Sequence, residues 1–389
     1  MRANVFTDPA LAKRAGQFVW LEMDTEKAKN AALRKRLGVQ ALPTFFVLDA
    51  RDEHVALRWV GGASVKQLSG ILDDGRAAVA RARHPARELP LNTPDASLAL
   101  GDRAYGESRF ADAEQAYGEA LAAAPPSWPP YARVVESRMF SLTQTERYDE
   151  ALRLAREAFP RLRGTPSGAS VAGEGLDAAT SLPDSAPGRA RAIEQFEGAV
   201  REVLADPDLV LAGDDRSGLY ISLLDARQDA KDEAGARTVA EQWAACLEGE
   251  AARARTPEQR AVYDSHRLSA YLELGQPERA LPMLEASERD FPGDYNPPAR
   301  LASAYRAMKR WKDGLAASDR AFARAYGPRK LVMYPVRADL YLGMADTLAA
   351  RRTLAEAVAF ADSLPPGQRS ESALASLRKK LAGISPGRP

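Results

Sequence analysis

The stretch Asp264–Pro292, DSHRLSAYLELGQPERALPMLEASERDFP, sets the architecture of this chain. Within it Tyr271 is followed nine residues later by Ala280, across a turn holding Gly275 and Pro277. The pairing returns as Tyr305 with Gly314 and as Tyr341 with Ala350. Ala280 to Gly314 is 34 residues, and Gly314 to Ala350 is 36. A period of that length is one pair of helices. Such a pair cannot bury its apolar face alone, so it stacks on copies of itself.

Upstream, the same pattern begins at Asp95. LALGDRAYGESRFADAEQAYGEALAAAP places Gly101 on a first helix, Ala113, Tyr117 and Ala120 on a second, and Pro125 at its exit. Small residues let two helices approach, an aromatic fills the groove between neighbours, and proline ends the second helix. This segment resembles a tetratricopeptide repeat. Further pairs are expected at Tyr131–Thr143 with Tyr148–Phe159, and at Leu219–Asp229 with Glu233–Glu250. Three more run over Glu258–Phe291, Pro297–Tyr326 and Leu331–Ser363, and Ser370–Leu381 closes the array. Between them, residues 163–188 are rich in Gly, Ser and Pro and read as a degenerate pair, with helices at Gly173–Ser181 and Arg189–Leu204. The resemblance covers about 290 residues, 95–383, and is weak in the third and fourth pairs.

Tetratricopeptide-like arrays bind proteins and peptides in a concave groove lined by their first helices. The resemblance therefore implies a groove at Leu98, Asp102 and Tyr105, at Ser265, Ser269 and Leu272, and at Asn296, Ser303 and Arg306. Family members that clamp a C-terminal carboxylate use Lys and Asn at such places. The matching pairs here are Leu98/Asp102, Ser265/Ser269 and Ala299/Ser303, so that clamp is missing.

The first 80 residues read differently. A short helix, ALAKRAG, is followed by a strand at Phe18–Met23 and a helix at Glu26–Leu37 closed by Gly38. A proline-entered apolar strand follows from Val39 to Asp49, then a hairpin strand at His54–Val60 and a helix opened by Ser64. The order, with Val39-Gln40-Ala41-Leu42-Pro43-Thr44, resembles the later two-thirds of a thioredoxin fold. The segment VFTDPALAKRAGQFVWLEMDTE resembles the stretch C-terminal to the Cys-x-x-Cys helix in bacterial members of that family. The resemblance implies a cis proline at Pro43, with Leu42 and Thr44 as substrate-loop residues if a redox site exists. The strand and helix that would carry Cys-x-x-Cys precede Met1 or have decayed, and we expect the former. Residues 81–94, RARHPARELPLNTP, read as a linker, and residues 384–389 as a tail.

Composition narrows the functions. With 54 basic and 53 acidic residues the net charge is +1, so no overall field draws the protein to nucleic acid. No apolar run reaches the ~18–20 residues that span a bilayer. No signal-peptide core follows Met1, which makes the cytoplasm the default compartment and an extracytoplasmic one the expectation if a longer start carries a signal. The single cysteine, Cys246, excludes an internal disulfide and reads as a buried, inert thiol on a helix. His54, His84 and His266 lie far apart without ligand spacing, so neither a metal nor another cofactor is expected. Gly173-Glu174-Gly175 lacks the strand, Lys and Ser/Thr of a phosphate loop.

The expected fold is α/β plus all-α: an incomplete thioredoxin-like segment at 1–80, then an α-helical repeat solenoid at 95–383. The leading function is a protein-interaction scaffold, not an enzyme. The alternatives are a thiol–disulfide oxidoreductase whose Cys-x-x-Cys lies upstream, and a holdase-type chaperone.

Overall fold

Six helix–helix turns share one backbone conformation. Ser108, Glu146, Lys231, Gly275, Lys309 and Ala345 all adopt left-handed φ values of 56–67°. The next residue's N–H in each case reaches back to a carbonyl five residues earlier, from Arg109 to Ala104 through Asp346 to Tyr341, at 2.8–2.9 Å. This is the Schellman closure of a helix. Five of the six positions are not glycine, although the conformation disfavours a side chain. Five residues beyond each turn stands a small residue: Ala113, Ala151, Ala236, Ala280, Gly314 or Ala350. Ala113, Ala151, Ala280 and Ala350 are fully buried. Gly314 leaves no room for a Cβ beside the Leu340 side chain. The period read from Tyr271 and Ala280 is thus a repeated backbone event.

The structure is a computed structural model that describes residues 3–83 and 93–385. Most of the expected linker and tail, residues 84–92 and 386–389, lies outside the described residues, as does His84. In chain order the elements are α1 (Pro9–Ala12), α2 (Ala31–Arg36), β1 (Thr44–Leu48), β2 (Val55–Val60) and α3 (Val65–Arg83). The helices α4 (Pro94–Gly106), α5 (Phe110–Ala123), α6 (Tyr131–Gln144), α7 (Tyr148–Leu162), α8 (Pro166–Ser181), α9 (Arg189–Ala205), α10 (Gly213–Asp229) and α11 (Glu233–Arg253) come next. Then come α12 (Pro257–Ala261), α13 (Asp264–Glu273), α14 (Leu281–Asp290), α15 (Asn296–Ala307), α16 (Trp311–Arg324), α17 (Lys330–Gly343), α18 (Thr347–Ser363) and α19 (Glu371–Ala382). The chain divides into two compact units, residues 1–18 with 37–239, and residues 19–36 with 240–389.

In the first unit, β1 and β2 form an antiparallel hairpin with Phe46 opposite Arg58 and a register shift at Val47/Leu48. One face, with Val47, Leu57 and Trp59, packs on Leu68, Ile71 and Leu72 of α3. A capping box opens that helix: Ser64 Oγ accepts from Gln67 N–H, and Gln67 Oε1 accepts from Ser64 N–H. The other face presents Arg58, 1% exposed, to the first repeat. Its guanidinium lies 5.5 Å from the ring centres of Tyr105 and Phe110 and donates to Ser108 Oγ at 2.7 Å. Among the described residues, cation–π contacts and hydrogen bonds, with no carboxylate, hold this buried charge. Beyond the hairpin, α4, α6, α8 and α10 form one layer, alternating with α5, α7 and α9.

Two expectations need correction here. The helix expected at Gly173–Ser181 begins at Pro166, capped by Thr165 Oγ1. The glycines that suggested a loop serve close approach: a Cβ on Gly175 would stand 2.5 Å from the Phe196 ring. The strand expected at Phe18–Met23 does not form. Among the described residues the sheet has two strands, and Val19 and Leu21 are exposed rather than laddered. The structure therefore shows a hairpin with flanking helices at the N-terminal end, short of a complete thioredoxin-like sheet.

Residues 19–36 instead pack on the second unit, to which they belong. Tyr326 Oη donates to Asp24 Oδ2 at 2.6 Å, Arg329 N–H to Glu26 Oε2 at 2.9 Å, and Gln368 Nε2 to the Thr25 carbonyl at 2.8 Å. Gly327, at φ 61°, abuts the Glu26 backbone with no space for a side chain. The helix expected over Glu26–Leu37 is shorter, a 3-10 turn at Ala28–Asn30 running into α2. In the array of this unit, Leu331, Ala338, Leu354 and Ala357 of α17 and α18 join Leu374 and Leu377 of α19 in one apolar cluster.

Candidate functional site

A cavity of about 280 Å³ opens in the first unit on the layer made by α6, α8 and α10. Its walls are small, with Ala169, Ser170 and Gly173 from α8 and Gly218 and Ser222 from α10, and Gly62 and Gln67 closing one side. Into it project Glu136 of α6, Glu174 and Asp177 of α8, and Asp214 and Asp215 of α10. Among the described residues no basic side chain lines it. The small walls arise from the sequence of α8, PSGASVAGEGLDAATS, which keeps its backbone close to its neighbours.

The electrostatics are those of carboxylates without counter-ions. Burial raises Glu136 to about 7, against hydrogen bonds from Ser167 and Ser170 that favour its charged form. Burial, then Glu136 and Asp177, drive Glu174 well above the ordinary range. One Glu174 oxygen, Oε2, is sealed from solvent and has no hydrogen-bond partner. Asp177 and Asp215 rise to about 6, chiefly through the surrounding protein. Ser222 opposes the rise at Asp177, and Asp214 adds to it at Asp215. Both stay exposed at the mouth, so solvent screens them more than it screens Glu174.

The residues implied by the repeat resemblance lie elsewhere. Leu98, Asp102 and Tyr105 are buried at 4%, 3% and 2% exposure, which corrects their placement in an open groove. Asp102 accepts from Arg133 Nη1 and Nη2 at 2.7 and 3.1 Å and from Tyr117 Oη at 2.9 Å. In the second unit, Ser269 and Ser303 turn their hydroxyls onto the carbonyls of Ser265 and Ala299. Arg306 pairs with Asp339 at 2.6 Å, Asn296 donates to Asp294, and Leu272 is half-buried. None of them lines the acidic cavity. The Leu42–Pro43 peptide is cis, with Leu42 exposed, Thr44 Oγ1 donating to the Ala41 carbonyl, and the Pro43 carbonyl accepting from Gly61. Cys246, on α11, is half-buried rather than buried.

The sequence reading passed over the acidic site, although one signal marked it. Between Arg163 and Arg189 there is no Lys, Arg or His, so Glu174 and Asp177 have no basic partner at helical spacing.

No family model matches this chain, and no curated protein matches it. Among solved structures it is similar to a tetratricopeptide repeat protein from Parabacteroides merdae ATCC 43184. The identity is 14% over 75% of this chain and 99% of the other, with a TM-score of 0.44. A second is the APC/C hetero-tetramer Cut9-Hcn1, at 14% identity over 80% of this chain and 54% of the other, with a TM-score of 0.35.

Proposed function

We propose that this chain is a protein-interaction module whose stacked helix pairs present the layer α6, α8 and α10 to a peptide or loop of a protein partner. One observation carries the reading: a cavity walled by glycine, alanine and serine on the first helices of successive pairs. Small side chains there cost apolar burial, and an array selected for stability alone would fill the space. The single cysteine leaves no resolving thiol in this chain, so a thiol–disulfide cycle has no support from its residues.

A displayed random-peptide library selected against the full chain tests the reading. It should yield one related set of sequences that saturates one site. Gly218→Trp, which fills the cavity from a position where a Cβ meets nothing, should abolish that binding. Indiscriminate binding of unfolded chains, unaffected by Gly218→Trp, would replace the module with a holdase.

A further inference from the structure

We infer that the cavity receives the cationic end of a side chain, a lysine ammonium or an arginine guanidinium, carried by the protein partner. This rests on the interaction reading and adds the chemistry of the contact.

Elsewhere the first unit neutralises its buried carboxylates internally. Asp102 is paired with Arg133, Glu114 with Arg138 and Arg147, and Glu197 with Arg227. Five carboxyl side chains are spread around the cavity, Glu136 and Glu174 half-buried and Asp177, Asp214 and Asp215 exposed, with no basic residue among the described lining. The hydroxyls of Ser167 and Ser170 beside Glu136, and of Ser222 beside Asp177, supply no charge. Glu174 Oε2, sealed and unpartnered, has acceptor capacity that this chain does not use. A buried polar atom without a partner is costly, and a donor that the Glu174 carboxyl turns to meet recovers that cost on binding.

Size and shape select the kind of cation. A cavity of about 280 Å³ has room for a butylammonium and part of its hydration shell. It is too small for a helix, which is about 10–12 Å across with its side chains. Among the described residues no three His, Cys, Asp or Glu side chains converge as metal ligands do. An elongated organic cation, reaching several carboxylates in turn, fits that spread better than a compact ion. The titration of the site agrees. Glu136, raised to about 7, is partly protonated at neutral pH, and an arriving cation would release that proton.

Calorimetric titration of the full chain with hexalysine, its fully acetylated form and spermidine at pH 7 tests this. Hexalysine should bind saturably, with proton release seen as a dependence on buffer ionisation enthalpy, and the acetylated peptide should not bind. Glu174→Gln should weaken hexalysine at least tenfold and Asp215→Asn by a smaller factor. Glu157→Gln, on the exposed face of α7, should change nothing. Equal binding of the acetylated peptide, or less than a threefold effect of Glu174→Gln in a protein with an unchanged circular dichroism spectrum, overturns the inference. Tighter binding of spermidine than of hexalysine overturns the assignment to a partner's side chain and makes the site one for a free polyamine. Library-selected peptides that lack basic residues and ignore Glu174→Gln overturn this inference while leaving the interaction reading intact.

Discussion

Asp102→Ala is the sharpest perturbation of the first unit. The Asp102 carboxylate is 3% exposed and accepts three hydrogen bonds, two from Arg133 and one from Tyr117. Burial works against the Arg133 charge, but Asp102, helped by Asp74, outweighs it, and the guanidinium's pKa is raised. Removing Asp102 leaves that cation with Asp74 alone, at 2.8 Å through Nε. Asp74 is 38% exposed on its side chain, so solvent screens its contribution. Breaking one side of a buried pair costs about 3–5 kcal/mol, and the orphaned Tyr117 hydroxyl adds about 1 kcal/mol. With Asp74 offsetting about as much as Tyr117 adds, the expected loss is about 3–5 kcal/mol. Urea denaturation followed by amide exchange in peptides of α4–α6 would read it locally, since two units need not unfold together. The double variant Asp102→Leu/Arg133→Met should recover most of the loss, because paired removal leaves no charge behind. A loss below about 1 kcal/mol for Asp102→Ala would refute the view of these helices as joined by a buried ion pair.

Three further outcomes are expected from the same geometry. Ala280→Leu should destabilise the second unit by about 1–3 kcal/mol through overpacking, because Ala280 is fully buried, and an unchanged denaturation midpoint would contradict that packing. Glu136 has its pKa raised in the folded state, so its contribution favours folding least above pH 7 and recovers as pH falls from about 7 toward 4.5. Glu136→Gln should flatten that part of the stability–pH curve by on the order of 3 kcal/mol, the equivalent of the shift, and an unaltered slope in a pH series of melts would count against it. The chain as it stands should not accelerate insulin reduction by dithiothreitol, and Cys246→Ser should leave the rate untouched; cysteine-dependent turnover would show the redox assignment to be wrong.

The repeat was legible because its signal is geometric. Tyr271 with Ala280, and their later counterparts, mark a turn and a close helix contact that any stacked pair needs. Boundaries in pairs five to seven differ by a few residues from the structure. The third pair was legible only in part, since the glycines of α8 are ambiguous in sequence: they permit a loop, yet here they admit Phe196. Phe18–Met23 carries strand-like composition, but pairing depends on a neighbouring strand that local sequence does not supply. Three of the expected groove residues were misplaced for a related reason. The repeat resemblance put Leu98, Asp102 and Tyr105 on an open face, while burial by Arg133, Tyr117 and the hairpin was decided by tertiary contacts. The acidic cavity draws on α6, α8 and α10, and Glu136 and Asp215 are too distant in sequence to be associated by spacing.

Photo-crosslinking of a library-selected peptide to the full chain, with the linked residues mapped by mass spectrometry, would locate the binding face. Links should concentrate on residues 131–144, 166–181 and 213–229, be competed by unlabelled peptide, and be absent in Gly218→Trp. Links confined to residues 240–385, or spread evenly over both units and indifferent to Gly218→Trp, would refute the assignment of partner binding to the α6, α8 and α10 layer.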